Sequence, residues 1–466
     1  MNFCRDEQQV KLATLDRSLA TKIPEWGRFR LAFISMTGGS KLTLRKCSKD
    51  DAMATIHPFT AILFHPDSEV DVTPFVAPPY DVIRPPDRER LKDRSPSNIV
   101  RLILPEVGPD GDPYQAAARM FEQWRQKGIL RTEPSPAFYL WEQEFSHEGR
   151  TFIRQALVAK VNSGPYRPGE VMRHEHTHRG PKADRLRLYQ ATGAQFSQMF
   201  GIFRDNEGEV RRQLAEVAQG SPLRTARGDD GHISRLYRII DEGRIAGLQA
   251  SLAGRTITIA DGHHRYETSV AYFQHLGRPG TTLMTLVSSS DPGLLVLPTH
   301  RTVSLALDGS SLETGLSEEF SVERYPADHW PRLYREATQQ PSQGIMVAVS
   351  PTLGYAFKIG WRRGAGDGAP SWKQADLLGD VGILHENILP LISAATRSEL
   401  PDRFDYLHEA EEAVKLAGES GDWAFLLRPP SVETLLQVAE RQAVMPPKST
   451  YFYPKFLAGF INADLD

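Results

Sequence analysis

The sequence predicts an α+β fold, a mixed sheet with helices rather than a regular doubly wound one. Two kinds of unit carry that expectation. Residues 138–145 and 152–159 pair naturally as a hairpin across Ser146-His-Glu-Gly-Arg150, which calls for antiparallel strands. Residues 257–261 alternate as a strand and run into a helical pattern over 263–277, a strand-then-helix unit. With 466 residues, 40% hydrophobic and 24% charged, the chain is ordinary globular material with room for about two to three domains.

From the N-terminal side, residues 60–64 read as a short strand. In Ala77-Pro78-Pro79-Tyr80-Asp81-Val82 two prolines fix φ and remove two N–H donors, so Tyr80 and Asp81 sit on stiff backbone. That loop is either a turn with Asp81 opening a helix or the wall of an active site. Ser95-Pro-Ser-Asn98 predicts a turn into a buried strand ending at Leu104. Residues 114–127 predict a helix with Tyr114, Ala117, Phe121 and Trp124 on one face and Gly128 as its stop. Residues 185 to 203 start helical and become extended, and 207–217 and 234–252 predict further helices. A strand over 282–287 follows, then Leu297-Pro-Thr-His-Arg301. Residues 306–372 show little pattern, with an exposed glycine-rich loop at 364–370. A helix over 376–391, a buried strand over 422–427 and a Ser431-capped helix to Arg441 complete the pattern. The last segment, Met445 to Phe456, is unusually aromatic and basic. No internal repeat is evident.

The bulk numbers exclude several classes. A net charge of -3 supplies no global attraction to nucleic acid or anionic membrane, and no basic helix-turn-helix is evident. No apolar run approaches the roughly 20 residues that span a bilayer. Cys4 and Cys47 both precede Met53, so a disulfide framework or thiolate metal site is excluded beyond it, and a cytoplasmic setting is expected. Residues 1–52 hold ten Lys/Arg against six Asp/Glu without apolar periodicity, and fit neither a signal nor a transit peptide. We expect a flexible extension, or an over-long start with Met53 as the natural beginning.

Chemistry concentrates in Asp261-Gly262-His263-His264-Arg265. Gly262 permits a sharp turn at positive φ. A strand–glycine–helix junction offers free N–H groups at the positive end of a helix dipole, a ready anion site. Arg265 adds a fork suited to phosphate or carboxylate. His263 and His264 can donate hydrogen bonds or move protons. Asp261 could cap the helix, bind Mg²⁺ or act as a base. The bland alternative is a capped helix with surface histidines. The stretch is not a Walker A loop, since that glycine spacing is missing; Lys448-Ser-Thr450 fails too, with prolines where glycines belong.

A second polar segment runs from Arg173 to Arg185. His174-Glu175-His176-Thr177-His178 matches H-E-x-x-H, but Pro165, Pro168 and Gly169 upstream and Gly180-Pro181 downstream leave no room for the long helix a zinc protease needs. As extended chain it puts His174, His176 and His178 on one face and Glu175 on the other. With Lys182, Asp184 and Arg185 this forms either a second phosphate-gripping cluster or a solvated charged loop.

Taken together, these pieces resemble a widespread prokaryotic family, domain of unknown function number ten-fifteen. The matching motifs are Ala77-Pro-Pro-Tyr-Asp-Val-Ile83, Ser97-Asn-Ile-Val-Arg-Leu102, His174-Glu-x-Thr177 with Pro181-Lys-x-Asp-Arg185, Ala260 to Thr268, Leu297 to Arg301, and Met445 to Lys455. They span Met53 to Asp466; His178 lies outside the pattern. Asp261 to Arg265 is also similar to the phosphate-gripping turn of the ParB/sulfiredoxin-like superfamily, which includes partition proteins and free-serine kinases. The resemblance implies a ParB/sulfiredoxin-like core elaborated by additional α/β elements. It implies a nucleotide-binding core over 53–305 and a C-terminal α/β region over 306–466 packing back on it. It further implies a kinase for the hydroxyl of a small metabolite, a serine-like amino acid being the expected acceptor, with ATP or ADP and Mg²⁺. Gly262, His263, His264 and Arg265 would then grip phosphates. Asp261 would hold Mg²⁺ or take the hydroxyl proton, with Glu175 as the alternative base and His174, Lys182 and Arg185 neutralising developing charge. A nucleotide-binding regulator or partition-like module without turnover is the other reading. The expected partners are nucleotide and a small molecule, with no membrane; homo-oligomerisation is left open.

Overall fold

A long antiparallel hairpin organises the structure. Strands Phe138–His147 and Arg150–Ser163 pair from Tyr139 with Val158 down to His147 with Arg150. Glu148 and Gly149 close the turn at φ 49° and 73°. Two consecutive positive φ values give a turn whose twist matches that of the strands. A computed structural model describes residues 55–465, apart from 66–69, 109–110, 176–179, 306–307, 341–343, 362–377, 398, 400 and 402. The N-terminal extension and the 364–370 loop therefore lie outside the described residues.

Among the described residues the hairpin sits inside a nine-stranded sheet. Gly280–Ser288 and Ile56–His57 pair with the second hairpin strand, and Ile233–Ile239 pairs with the first. Met199–Phe203 lies parallel to Gly280–Ser288, while Ile257–Asp261 runs antiparallel to Met199–Phe203 and parallel to Val171–Met172. Parallel and antiparallel pairs in one sheet, with helices around it, make this the α+β mixed-sheet fold that the sequence predicts. Ile257 and Ile259 are buried as the alternation requires, and Gly201 leaves room for them; a Cβ there would stand 2.6 Å from Ile257 Cγ2.

A second, six-stranded antiparallel sheet joins His300–Val303 to Asp405–Leu407 and Trp423–Leu426, then to Ile345–Ser350, Tyr355–Trp361 and Phe320–Pro326. Three of these strands fall in the stretch that looked patternless. Ile345–Ser350 is buried at every position, so no polar alternation announces it. Two further expectations are corrected. Residues 98–104 form a helical turn, Val100–Ile103, rather than a strand. Asn98 decides this: its Oδ1 accepts from Val100 N at 2.9 Å, and its Nδ2 donates to the carbonyls of Pro74 and Val76. Residues 234–252 split into the strand Ile233–Ile239 and the helix Glu242–Leu252, because Asp241 caps the helix through Arg244 N at 2.7 Å. Among the described residues, no helix is long and apolar enough to cross a membrane.

The aromatic C-terminal segment returns across the large sheet. Tyr451–Tyr453 pairs with Leu295–Leu297, and Phe452, Phe456, Phe460 and Ile461 are buried in the same core as Trp141 and Phe200. Each such aromatic contributes about 1.5–3 kcal/mol by burial. Arg154, fully buried, fastens the segment: it donates to the carbonyls of Tyr453 (3.2 Å) and Pro454 (2.5 Å) and to Gln143 Oε1, and lies over the Phe456 ring. Arg154→Met should strand those carbonyls and cost about 3 kcal/mol. Urea unfolding checks the loss, and limited proteolysis should cut the C-terminal segment sooner.

Candidate functional site

The site begins where a strand ends. Ile257–Asp261 is paired on both sides, and its last residue carries a carboxylate into the interior. Gly262 follows at φ 90°, and helix His263–Leu276 starts at once. We label helix Gly180–Thr192 α1 and His263–Leu276 α2. A side chain at Gly262 would be strained, and its Cβ would stand 3.0 Å from the Arg265 guanidinium folded back over the turn. Gly262, at the N-cap, has no side chain to cap α2. Its first-turn N–H groups therefore present the positive end of the helix dipole. His263 at the first helical position is buried, and its Nε2 has no hydrogen-bond partner among the described residues.

Asp261 lies between two cations. Its Oδ1 accepts from Lys455 Nζ and its Oδ2 from Arg265 Nη2 at 2.5 Å. Burial pushes its pKa up, but Lys455 and Arg265 outweigh burial and hold the carboxyl far below its usual range. Burial works against the Lys455 ammonium too, and Asp261 overcomes it, so the lysine stays charged. Arg265 turns its other nitrogen onto the Gln198 carbonyl at 2.5 Å. Its fork thus faces Asp261 and Gln198 rather than an open anion site. Pro79, Gln198 and Phe452 close a void of about 10 Å³ beside the three charges, space for roughly one water. Pro79 brings the Ala77–Val82 loop to this wall.

The second polar segment meets the first directly. His174 and His263 stand edge to face, ring centres 4.7 Å apart. His174 Nδ1 donates to the Ile259 carbonyl at 2.7 Å, leaving Nε2 to accept from the Thr450 hydroxyl at 3.1 Å. Burial lowers its pKa to about 4, and burial with His174 nearby lowers that of His263, so both rings are neutral at pH 7. Glu175 is extended chain bridged to Met445, not helix, which removes the zinc-protease geometry; His176 and His178 lie outside the described residues. Its carboxylate accepts from Ser449 N at 3.2 Å, yet burial prevails and pushes its pKa up to about 7.

Lys182 and Arg185 are brought alongside on α1 but are already engaged. Lys182 pairs with Glu267 of α2, which Arg173 also approaches at 4.0 Å. Arg185 donates to the Ile103 carbonyl at 2.7 Å, pairs with Asp184, and stacks 4.3 Å from the Tyr80 ring. Tyr80, beneath it, has its pKa pushed up to about 12 by burial and by Asp81. His264, half-buried, holds Thr268 through its main-chain carbonyl.

Asp261 does not fit as a magnesium ligand, because each oxygen is taken by a cation; among the described residues no group of three or more acidic or histidine side chains could hold a metal. The residues that sequence reasoning missed all come from the C-terminal segment: Lys455, Thr450 and Ser449. The available signal was that segment's aromatic, basic composition, together with Lys448-Ser-Thr450, set aside as a failed phosphate loop.

No curated protein matches the chain. Solved structures that resemble it include a free serine kinase mutant in complex with ADP, at 13% identity and a TM-score of 0.35, covering 64% of this chain and 88% of that one. Another is free serine kinase in complex with AMP, at 13% identity and TM-score 0.34 with the same coverage. A third is C-terminally truncated SbnI from Staphylococcus aureus, at 10% identity and TM-score 0.30, covering 62% and 82%. The profile of the family described as Protein of unknown function (DUF1015) matches residues 56–364, and the chain belongs to that family.

Proposed function

We propose that the chain is a nucleotide-dependent phosphotransferase acting on the hydroxyl of a small metabolite, with ATP or ADP as donor and a serine-like amino acid as the first acceptor to try. The observation that carries this reading is the uncapped first turn of α2 beside buried His263, whose Nε2 lacks a partner among the described residues. The first turn of α2 at His263 holds the transferring phosphate. Glu175, with a pKa of about 7, is poised to take a proton near neutral pH, as a general base must. Asp261, fully ionised between two cations, is a weak base; it positions Lys455 and Arg265 instead. The acceptor hydroxyl gives its proton to Glu175, its oxygen forms the new P–O bond, and the bond to the nucleotide's bridging oxygen breaks. Lys455 offsets charge on the transferring group. The test is a transfer screen of amino acids and small alcohols with ATP and with ADP. We expect a phosphorylated product from at least one acceptor; nucleotide binding without any product would favour a regulatory module.

A further inference from the structure

A large cavity lies apart from the site around Asp261. It encloses about 790 Å³ between the tip of the hairpin and the flank of the six-stranded sheet. That volume suits a small molecule. Phe152, Trp330 and Tyr334 give it aromatic walls, and three histidines, His147, His300 and His408, give it polar ones. His300 accepts from Leu427 N through Nδ1 at 3.1 Å, so its Nε2 carries the hydrogen and is the donor it has left. His408 is the converse: Nδ1 donates to the Pro298 carbonyl at 3.0 Å, leaving Nε2 as a bare acceptor. Burial lowers both pKa values, to about 3 and about 4, so both tautomers persist at neutral pH. The charged groups around them are mixed in sign. Arg150 and Arg335 line the cavity with Glu148, Glu409 and Glu411, while Arg428 is held by Asp380. Two neutral imidazoles offering one donor and one acceptor beside aromatic rings suit a planar ligand with a complementary edge.

We propose that this cavity is a nucleoside pocket, reading the acceptor–donor edge of a nucleobase with His300 and His408. It rests on the phosphotransferase reading only in suggesting why a base would be held here. Tyr451 links the cavity to that site: His408 stacks on it with ring centres 3.6 Å apart, and Lys455 Nζ, which bonds to Asp261, lies 4.6 Å from the centre of the same Tyr451 ring.

The experiment is calorimetric titration of the full chain with adenosine, guanosine, cytidine and uridine, none of which carries phosphate. At least one should bind. His408→Phe keeps a ring on Tyr451 but removes the acceptor, and should weaken that binding about 10-fold, the worth of one buried hydrogen bond. Thr338→Trp, at an exposed position of the wall, should block the cavity and abolish it. If no nucleoside binds the wild-type chain, or if both variants bind as it does, the pocket is overturned. A chain that binds a nucleoside through His408 yet transfers no phosphate would refute the proposed reaction and leave the pocket standing. Transfer without nucleoside binding would do the reverse.

Discussion

Glu175→Gln is expected to slow phosphoryl transfer by about 10²- to 10⁴-fold, the usual worth of a general base. The wild-type rate should climb with pH as Glu175 ionises around pH 7, and the variant should lose that limb. The same change should act on stability in the opposite direction. In the folded chain the Glu175 carboxyl holds its proton up to about pH 7, against an ordinary 4.5. Between those values the folded state binds the extra proton, so this contribution is complete below pH 4.5 and lost as pH rises to 7. Glutamine has nothing to ionise. Above pH 7 the variant should therefore be more stable than the wild type, by on the order of 3 kcal/mol, and the two should converge below pH 5. His174 contributes a separate slope: its depressed pKa means that stability falls as pH drops from 6.5 towards 4 in both proteins. Urea titrations from pH 5 to 9 separate the two effects. A slow variant that gained no stability at high pH would place Glu175 in water rather than in the interior.

Asp261→Asn should abolish transfer and also cost about 3–5 kcal/mol, because it leaves Lys455 and Arg265 as buried cations without their counter-ion. Lys455→Met alone removes one of Asp261's two partners and should also destabilise. The double variant Asp261→Asn with Lys455→Met should cost less than the two single losses added together, by about 1–3 kcal/mol, since each single change strands the charge that the other removes. Additive losses would mean that the two groups do not form a buried pair. Because the lysine arrives from 194 positions along the chain, the coupling also measures how firmly the C-terminal segment is seated.

Much of the site's local geometry was legible because it is written in local chemistry. Residues 257–276 switch from a period of two to a helical period at one glycine, and strand, turn and helix fall where that switch puts them. What stayed hidden has three physical sources. Asn98 bends residues 98–104 with hydrogen bonds to a loop more than 20 residues away, which no periodicity records. Ser234 to Ile239 carries apolar residues compatible with either period, and only its register on Phe138–His147 makes it a strand. Lys455 reads locally as a solvated tail residue. Its place on Asp261 depends on buried Arg154 holding the carbonyls just before it. Likewise, nothing in the sequence foretells that Arg265, Lys182 and Arg185 spend their charge on Asp261, Glu267 and Asp184 rather than presenting it free.

The most direct measurement is a crystal structure of the chain grown with ADP. A phosphate oxygen within about 3 Å of the main-chain nitrogen of His263, with Glu175 facing the open side of the terminal phosphate, is the expected result. A well-ordered ADP whose phosphates lie away from the first turn of α2 would contradict it.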